Sequence, residues 1–348
     1  IGKNMNKVLI FGAGSLGNHM AYASRRLNFD VYMTDINPLA LKRMKTQIFP
    51  KRYKIWDNKI KLVNYKNVFS KKSEFDLIVI GTPPKTHINI LKNCNNYLRF
   101  KKILIEKPLC VYNEKNLNFV RKLAKKKMLF CGYNHSLSNA YNYFSKIVLK
   151  KFKKVEFIEV KWNEGWQGIL KAHFWMKDEF QTYLGNIYEG GGALHEHSHG
   201  LNLFQLVMEK FKLQIKSFSE KKIINFKKKG KKKYDNYFQL LLSKKDQILQ
   251  YTTNLLTFPA EKKILIRNRD VRAELVFNYK DNIDNVSFFK NEKLKLIKNF
   301  KKTRSSEFEN ELKHVINIKN AESYRRSNIN VLNGIKTIMI IKKLLKND

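Results

Sequence analysis

The sequence predicts two domains: an α/β domain with a doubly wound parallel sheet, and an α+β domain with an open, mainly antiparallel sheet. Short apolar, β-rich segments alternate with helical patterns up to about residue 130, which is typical of parallel strands covered by helices on both faces. Strand-like segments predominate after that point. The 348 residues are enough for two domains with separate cores, so the predicted division is 1–130 and 131–348.

The first domain is predicted to begin with a strand over residues 7–11, followed by a helix that ends at Leu27. The later apolar segments are short enough for strands, and the helical patterns between them are long enough to cross over a sheet. The further predicted strands cover residues 30–35, 75–80, 102–105 and 128–131, and the further predicted helices cover residues 38–49, 86–97 and 113–127.

The second domain is predicted to contain strands joined by a few helices. The predicted strands cover residues 154–162, 214–226, 237–242, 247–257, 262–267 and 273–277, and the predicted helices cover residues 141–150, 194–210 and 305–318. The densest lysine cluster, Lys227–Lys233 around Gly230, is interpreted as a solvated loop, because like charges repel and glycine interrupts regular structure. A final helix over residues 327–345 is long enough to pack back on the first domain.

The chain carries 69 Lys and Arg residues against 29 Asp and Glu residues, a balance that would also suit a nucleic-acid-binding protein. The basic residues are spread along the whole chain together with many Asn and Ile residues, as in proteins encoded by AT-rich genomes. We therefore predict no nucleic-acid partner. The excess of positive charge is expected to attract acidic or phosphorylated substrates.

The three cysteines, Cys94, Cys110 and Cys131, lack the paired spacing of a disulfide framework or a C-x-x-C site. No apolar segment reaches the roughly 18 residues that a membrane-spanning helix needs, and no signal peptide is predicted before the first strand. These patterns predict a cytoplasmic protein without a membrane partner.

Three glycines follow the first predicted strand with the spacing G-x-G-x-x-G: Gly12, Gly14 and Gly17. In a Rossmann domain the first glycine allows a tight turn, the second lets the backbone approach a pyrophosphate, and the third lets helix and strand pack closely. The helix that begins here, with Ser15 and Leu16, would direct its N-terminal N–H groups at the diphosphate. The first domain is therefore predicted to be a Rossmann domain that binds a dinucleotide.

Asp35 lies at the end of the second predicted strand, where Rossmann domains carry an acidic residue. A carboxylate there accepts hydrogen bonds from the adenosine ribose hydroxyls and repels a 2′-phosphate. NAD is therefore the predicted cofactor, in preference to NADP.

Ligands of open α/β sheets bind beyond the carboxyl ends of the strands, which directs attention to two loops. Residues 81–87 read Gly-Thr-Pro-Pro-Lys-Thr-His, and residues 106–109 read Glu-Lys-Pro-Leu. Further along the chain come Gly132–His135 and the glycine-led segment Gly190–His199. In content and order these motifs resemble those of the glucose-fructose oxidoreductase, inositol dehydrogenase and MocA (Gfo/Idh/MocA) family, and the resemblance covers nearly the whole chain.

The resemblance implies roles for both loops. Thr82, Pro83 and His87 are expected to contact the dinucleotide from the first loop, and Glu106 and Lys107 from the second. In this family the lysine of the E-K-P motif lies near the nicotinamide and the substrate hydroxyl. Lys107 is therefore expected to polarise the reacting oxygen, with Glu106 orienting it.

The histidine that matches the family's catalytic histidine is His199. Oxidation of a carbinol requires a base for the hydroxyl proton, and imidazole titrates near neutral pH. Many members carry aspartates four residues before and three residues after this histidine, where this chain has His195 and Asn202. Glu196 would lie on the same side of a helix as His199 and is the predicted acidic partner. The altered positions leave an alternative, a dinucleotide-binding sensor or regulatory protein without turnover.

The segment from His195 to His199 also reads H-E-x-x-H, a pattern in which two histidines bind zinc beside a glutamate base. No third ligand follows at the usual spacing, and the next histidine is the distant His314. We predict no metal here. The additional histidine, His195, is then expected to hydrogen-bond a hydroxyl-rich substrate.

Aromatic and polar side chains alternate ahead of the glycine-led segment, as they do in carbohydrate pockets. The predicted substrate-binding residues are Lys107, Asn134, Trp162, His173, Trp175, His195 and His199, with Asn163, Glu164, Trp166 and Tyr183 as further candidates. The predicted function is hydride transfer between nicotinamide and a carbinol carbon of a sugar, cyclitol or activated sugar. Similarity to bacterial members suggests surface-glycan metabolism and a homo-oligomer, either a dimer or a tetramer.

Overall fold

The computed structural model describes residues 6–70 and 73–346, which form two compact units. The first unit contains residues 1–134 and 304–338, and the second contains residues 135–303 and 339–348. Each unit has one sheet as its centre. That residues 1–130 bind the cofactor and the rest bind the substrate stays a prediction.

The described part of the first unit contains a sheet of six parallel strands. In chain order these are β1 (Lys7–Phe11), β2 (Asp30–Thr34), β3 (Lys61–Leu62), β4 (Glu74–Ile80), β5 (Arg99–Ile105) and β6 (Met128–Cys131). Their spatial order is β3-β2-β1-β4-β5-β6, so the direction in which strands are added reverses between β1 and β4. This confirms the predicted Rossmann architecture and marks the crevice where such sheets bind ligands.

Helices connect these strands. They are α1 (Ser15–Arg26), α2 (Pro38–Arg43), α3 (Phe49–Tyr53), α4 (Tyr65–Val68), α5 (His87–Tyr97) and α6 (Glu114–Ala124). The helix predicted over residues 38–49 extends to Tyr53 and contains a π-helical turn, Met44–Ile48, between α2 and α3. Proline at position 50 is tolerated because it lies in the first turn of α3.

Residues 135–303 contain a second sheet of eight strands. These are β7 (Phe157–Asn163), β8 (Ser219–Lys229), β9 (Lys232–Lys244), β10 (Gln247–Asn254), β11 (Glu261–Arg267), β12 (Val271–Lys280), β13 (Ile283–Lys290) and β14 (Lys293–Lys301). The spatial order is β14-β13-β12-β11-β7-β10-β9-β8. Only β7 and β10 pair in parallel, and the other pairs in this range are antiparallel, which confirms the predicted mainly antiparallel sheet.

The helices of this unit are α7 (Asn139–Lys151), α8 (Trp166–Ala172), α9 (Ala193–Glu196) and α10 (Ser198–Lys210). The helix predicted over residues 194–210 is interrupted at His197, whose backbone leaves helical geometry between α9 and α10. No helix within residues 6–70 and 73–346 is both long enough and apolar enough to cross a membrane.

The prediction that the lysine-rich segment Lys227–Lys233 is a solvated loop is wrong. Most of the segment Lys227–Lys233 belongs to β8 and β9, which are joined by a tight turn at Gly230, where φ is +57°. The ladder of backbone hydrogen bonds holds the strands together. Two of these lysines also reach acidic partners, because Lys227 Nζ lies 2.6 Å from Glu179 Oε1 and Lys229 Nζ lies 3.9 Å from Asp178 Oδ2.

Three helices follow the second sheet: α11 (Arg304–Asn317), α12 (Ala321–Arg326) and α13 (Val331–Leu345). Residues 304–338 were predicted to lie in the second domain, but they belong to the first unit. Three hydrogen bonds explain this. Lys102 Nζ donates to the carbonyl oxygens of Val315 and Ile316, both at 2.8 Å, and Tyr324 OH donates to Leu129 O at 2.8 Å. The lysine thereby caps the last turn of α11.

Candidate active site

The first and third glycines of the motif are required by the packing of the chain itself. Gly12 has a φ of +101°, and a Cβ there would lie 2.6 Å from Gly81 O. A Cβ on Gly17 would lie 1.8 Å from Gly12 O, inside the backbone of the turn. These glycines allow β1 and α1 to approach each other closely.

The second glycine is different. Around a Cβ placed on Gly14, no described atom lies within 4 Å. Gly14 is also the N-cap of α1, and no side chain of the described residues caps this helix end. The first N–H groups of a helix need external acceptors and attract anions. Open space in front of an uncapped helix end fits the diphosphate of a dinucleotide.

Asp35 follows β2 directly and is fixed by the glycine turn. Its Oδ2 accepts a hydrogen bond from Ala13 N, and its Oδ1 accepts one from Asn37 N, both at 2.8 Å. The carboxylate is half-buried, so it keeps an open side for ribose hydroxyls. Next to it, the Ile36 side chain is 78% exposed, an apolar surface that sequence reasoning missed.

The loop after β4 is held by a buried histidine. His87 is fully buried, with Nε2 2.6 Å from Thr82 O and Nδ1 3.0 Å from Leu109 O. Burial lowers its pKa. His87 therefore joins the loop after β4 to the loop after β5, and the structure gives it a positioning role in place of the predicted contact with the dinucleotide. Thr82 is half-buried and Pro83 is exposed, as a ligand-binding loop requires.

Glu106 and Lys107 directly follow β5, and both are half-buried. The Lys107-Pro108 peptide bond is cis. Gly132 directly follows β6, and a Cβ on it would lie 2.5 Å from Glu106 Oε2. The absence of a side chain at Gly132 therefore leaves room for the Glu106 carboxylate. Asn134 is buried, and its Oδ1 accepts no hydrogen bond from the described residues.

A buried acid near Glu106 was not predicted. Glu311 on α11 is 1% exposed, and neither carboxyl oxygen has a hydrogen-bond partner among the described residues. Burial, followed by the negative charge of Glu106, raises its pKa well above the usual range.

The second unit gathers aromatic rings around the predicted catalytic histidine. The ring centroid of His199 lies 4.6 Å from that of His135 and 6.0 Å from that of Trp162. His199 itself is only half-buried, so it can reach a ligand. Trp162 is 2% exposed, so it packs in the core, and the prediction that it binds substrate is wrong.

A buried aspartate supports the glycine-led segment that carries His199. Asp235 on β9 is fully buried, and its Oδ2 accepts a hydrogen bond from Leu194 N at 2.8 Å. A Cβ on Gly192, where φ is +91°, would lie 1.9 Å from Asp235 Oδ1. Burial raises the pKa of Asp235 to about 7. No sequence pattern pointed to this residue, because its partner lies 41 positions away.

The histidines before His199 serve the fold. His195 is 4% exposed, its Nδ1 lies 3.0 Å from Gly191 O, and burial lowers its pKa to about 4. His197 places Nε2 3.2 Å from Glu164 O. The prediction that His195 binds substrate is therefore corrected, because the ring is buried and its Nδ1 faces a backbone carbonyl.

The structure also describes the backbone of the H-E-x-x-H segment and the grouping of potential metal ligands. Because the helix is interrupted at His197, Glu196 and His199 do not share one continuous helix, contrary to the prediction. Within the part of the chain that the structure describes, no three His, Cys, Asp or Glu side chains are grouped as metal ligands would be.

The remaining aromatic candidates divide into two groups. Trp166 and Tyr183 pack against a hydrophobic cluster, and Trp166 Nε1 donates to Tyr234 OH at 3.0 Å. His173 and Trp175 are half-buried neighbours with ring centroids 5.4 Å apart. Only the second pair remains a candidate for contact with substrate.

Several solved structures share this fold. An inositol dehydrogenase homologue from Azotobacter vinelandii, complexed with NAD+, has a TM-score of 0.72 at 12% sequence identity, with 97% of this chain and 94% of that chain covered. The UDP-N-acetylglucosamine 3-dehydrogenase GnnA from Acidithiobacillus ferrooxidans has a TM-score of 0.67 at 11% identity, with 98% and 97% covered. The WlbA dehydrogenase from Bordetella pertussis, in complex with NADH and UDP-GlcNAcA, has a TM-score of 0.64 at 14% identity, with 98% and 95% covered.

At these identities the solved structures establish the shared fold. None of the curated proteins compared with the sequence matches it. Residues 6–135 match the sequence profile of GFO_IDH_MocA, the oxidoreductase family with an NAD-binding Rossmann fold. This region includes the glycine turn, Asp35 and the loops after β4 and β5. Residues 6–135 therefore form an NAD-binding Rossmann domain of the kind found in the Gfo/Idh/MocA oxidoreductase family.

Proposed function

We propose that this protein is an NAD-dependent dehydrogenase that transfers a hydride between nicotinamide and a carbinol carbon of a sugar, cyclitol or activated sugar. The observation that carries the proposal is the open space at Gly14 before the uncapped end of α1. The half-buried carboxylate of Asp35, fixed by Ala13 N, supports the choice of NAD. Ile36 offers an apolar surface beside this carboxylate on which adenine can pack.

Within this proposal, bound nicotinamide accepts or donates the hydride, and the protein handles the proton. The Lys107 ammonium stabilises negative charge on the reacting oxygen, with Glu106 as its neighbour in the chain. His199 accepts the hydroxyl proton during oxidation and returns it during reduction. Glu196 stays a proposed acidic partner of His199, although the break at His197 removes the helical spacing on which that role was based.

The substrate class rests on the fold relatives. The related structures include an inositol dehydrogenase homologue, a UDP-N-acetylglucosamine dehydrogenase and a dehydrogenase bound to UDP-GlcNAcA. A hydroxyl-rich substrate, with or without a nucleotide group, is proposed on this basis, as is a place in surface-glycan metabolism. Besides Lys107 and His199, the predicted residues His173, Trp175 and Asn134 stay candidates for substrate contact. Self-association is proposed through the second sheet, whose strands β8 and β14 expose Ile223 and Ile297.

The test is turnover by purified protein on a panel of sugars, cyclitols and nucleotide sugars, followed by the absorbance of NADH. The substitutions Lys107→Ala and His199→Ala are expected to lower kcat by about 100-fold or more, since acid–base groups typically contribute about 10²–10⁴. Lys115→Ala, an exposed lysine on α6, is the matched control and should keep full activity.

NAD binding should be largely kept in both variants, because neither substitution removes the glycine turn or Asp35. Full turnover by both variants would overturn the catalytic assignment. NAD binding without turnover on the whole panel would favour the sensor alternative.

A further inference from the structure

A guanidinium group is fixed at the first residue of α1. Arg52 on α3 donates from Nη1 to Ser15 O and from Nη2 to Ser15 Oγ, both at 2.9 Å. Ser15 is the residue that follows Gly14, where the open space for the diphosphate lies. The two contacts place a formal positive charge beside the helix end that already attracts anions.

Aromatic packing holds this arginine in place. The ring of Tyr53, the next residue, stacks on Tyr22 of α1 with centroids 3.8 Å apart and an interplanar angle of 2°. The Tyr53 hydroxyl lies 2.5 Å from His19 Nδ1, also on α1. Phe49, at the start of α3, packs edge-on against Tyr53 at 5.0 Å. Arg52 is therefore preorganised on a short helix that is anchored to α1, so little side-chain freedom remains to be lost when a ligand binds.

The charges around Arg52 favour an anion. Both Ser15 atoms that it contacts are neutral oxygens. Burial lowers the pKa of Arg52, the neighbouring Tyr53 partly offsets this, and the positive charge of Arg304 lowers it further. A diphosphate with two negative charges would be attracted to this partly desolvated cation. The α1 N–H groups contribute partial charges only, so Arg52 would supply the full charge that they lack.

We infer that Arg52 is a diphosphate-binding residue of the dinucleotide site, acting together with the N–H groups of the first turn of α1. The inference rests on the proposed function, because it requires NAD at the glycine turn. No part of the G-x-G-x-x-G pattern indicates this residue, since Arg52 lies 37 positions from Ser15 in the chain.

The test compares the affinities of full-length variants for NADH and ADP by calorimetry or NADH fluorescence. Arg52→Gln should weaken the binding of both ligands about tenfold, the loss expected when one charge-assisted contact is removed. Adenosine, which lacks the diphosphate, should bind both proteins with the same dissociation constant, measured by competition with NADH. Arg52→Lys keeps the charge but loses the two-pronged geometry, so a loss of a few-fold is expected.

Arg25→Gln is the matched control, because Arg25 lies in the last turn of α1, away from Gly14, and pairs with Asp57 at 2.9 Å. Its NADH affinity should not change. A thermal melt without ligand separates a role in packing from a role in binding. If Arg52 only tethers α3 to Ser15, Arg52→Gln will melt earlier and still bind NADH and ADP with unaltered affinity, which would overturn the inference.

The outcomes also distinguish the two proposals. If the unaltered protein fails to bind NADH, both the proposed function and the role of Arg52 are wrong. If the unaltered protein binds NADH and Arg52→Gln binds it equally well, only the role of Arg52 is wrong. Should Arg52→Gln fail to fold, Arg52→Lys decides, and an unchanged ADP affinity in that variant would overturn the inference.

Discussion

The contrast between Gly14 and Gly17 gives a prediction in which stability and cofactor binding change separately. A Cβ at Gly14 meets no described atom within 4 Å, and its backbone, with φ of −78°, suits any residue. Gly14→Ala should therefore fold. Alanine restricts the unfolded chain, which stabilises the protein by about 0.4–1 kcal/mol, but it is a poorer N-cap than glycine by a similar amount. The net change should be below about 1 kcal/mol.

The same methyl group would occupy the space assigned to the diphosphate. We expect Gly14→Ala to weaken NAD binding at least about tenfold, equivalent to about 1.4 kcal/mol, while Tm shifts by less than about 4 °C. Calorimetric titration with NAD+ and a thermal melt of the same preparation measure the two quantities. Normal NAD affinity in Gly14→Ala would refute the placement of the diphosphate against this residue.

Gly17→Ala is the matching control, because this substitution should lower stability. Its Cβ would lie 1.8 Å from Gly12 O and 3.2 Å from the Met33 methyl group. The first contact involves backbone, so β1 or α1 must shift, which costs at least about 3 kcal/mol. A fall in Tm of roughly 6 °C or more is expected for a domain of this size. A Gly17→Ala variant as stable as the unaltered protein would show that the turn is more adaptable than the structure indicates.

The other predictions concern the pH dependence of stability and two buried groups, His195 in the glycine-led segment and Asp235 on β9, which accepts a hydrogen bond from Leu194 N. Burial lowers the pKa of His195 from 6.5 to about 4, so its contribution to stability is present above pH 6.5 and is lost as pH falls through about 4. His195→Gln should therefore reduce the change of unfolding free energy with pH by up to about 3 kcal/mol. Burial raises the pKa of Asp235 from 3.8 to about 7, so its contribution to stability is full below pH 3.8 and is lost as pH rises through about 7. Asp235→Asn should therefore reduce the change of unfolding free energy with pH, which here has the opposite sign, by up to about 4 kcal/mol. Urea unfolding at several pH values, each variant against the unaltered protein, measures both, and parallel pH curves for variant and unaltered protein would contradict these assignments.

Much of the first unit could be predicted from sequence because its signals are local. The parallel strands are short apolar runs, buried on both faces, and the glycine motif lies within a single strand-turn-helix segment. Strands β13 and β14 were not predicted, because the local signal is weak there. β14 is an edge strand with four lysines in nine residues, so it shows no apolar run although it pairs regularly with β13.

The roles of polar side chains were less predictable, because they depend on partners far along the chain. His87 and His195 look like ligand-binding histidines in sequence, yet both are buried against backbone carbonyls. Asp235 and Glu311 look like ordinary charged positions in a strand and a helix, yet both are fully enclosed. No periodicity in the sequence distinguishes a carboxylate that faces solvent from one that faces the core.

The most direct measurement for the central claim is the affinity of the unaltered protein for NAD+ and NADP+ under the same conditions. The Asp35 carboxylate, held by Ala13 N and Asn37 N, cannot move away to admit a 2′-phosphate without breaking both hydrogen bonds. We expect NAD+ to bind at least about tenfold more tightly than NADP+. Equal or tighter binding of NADP+, or no binding of either dinucleotide, would contradict the account.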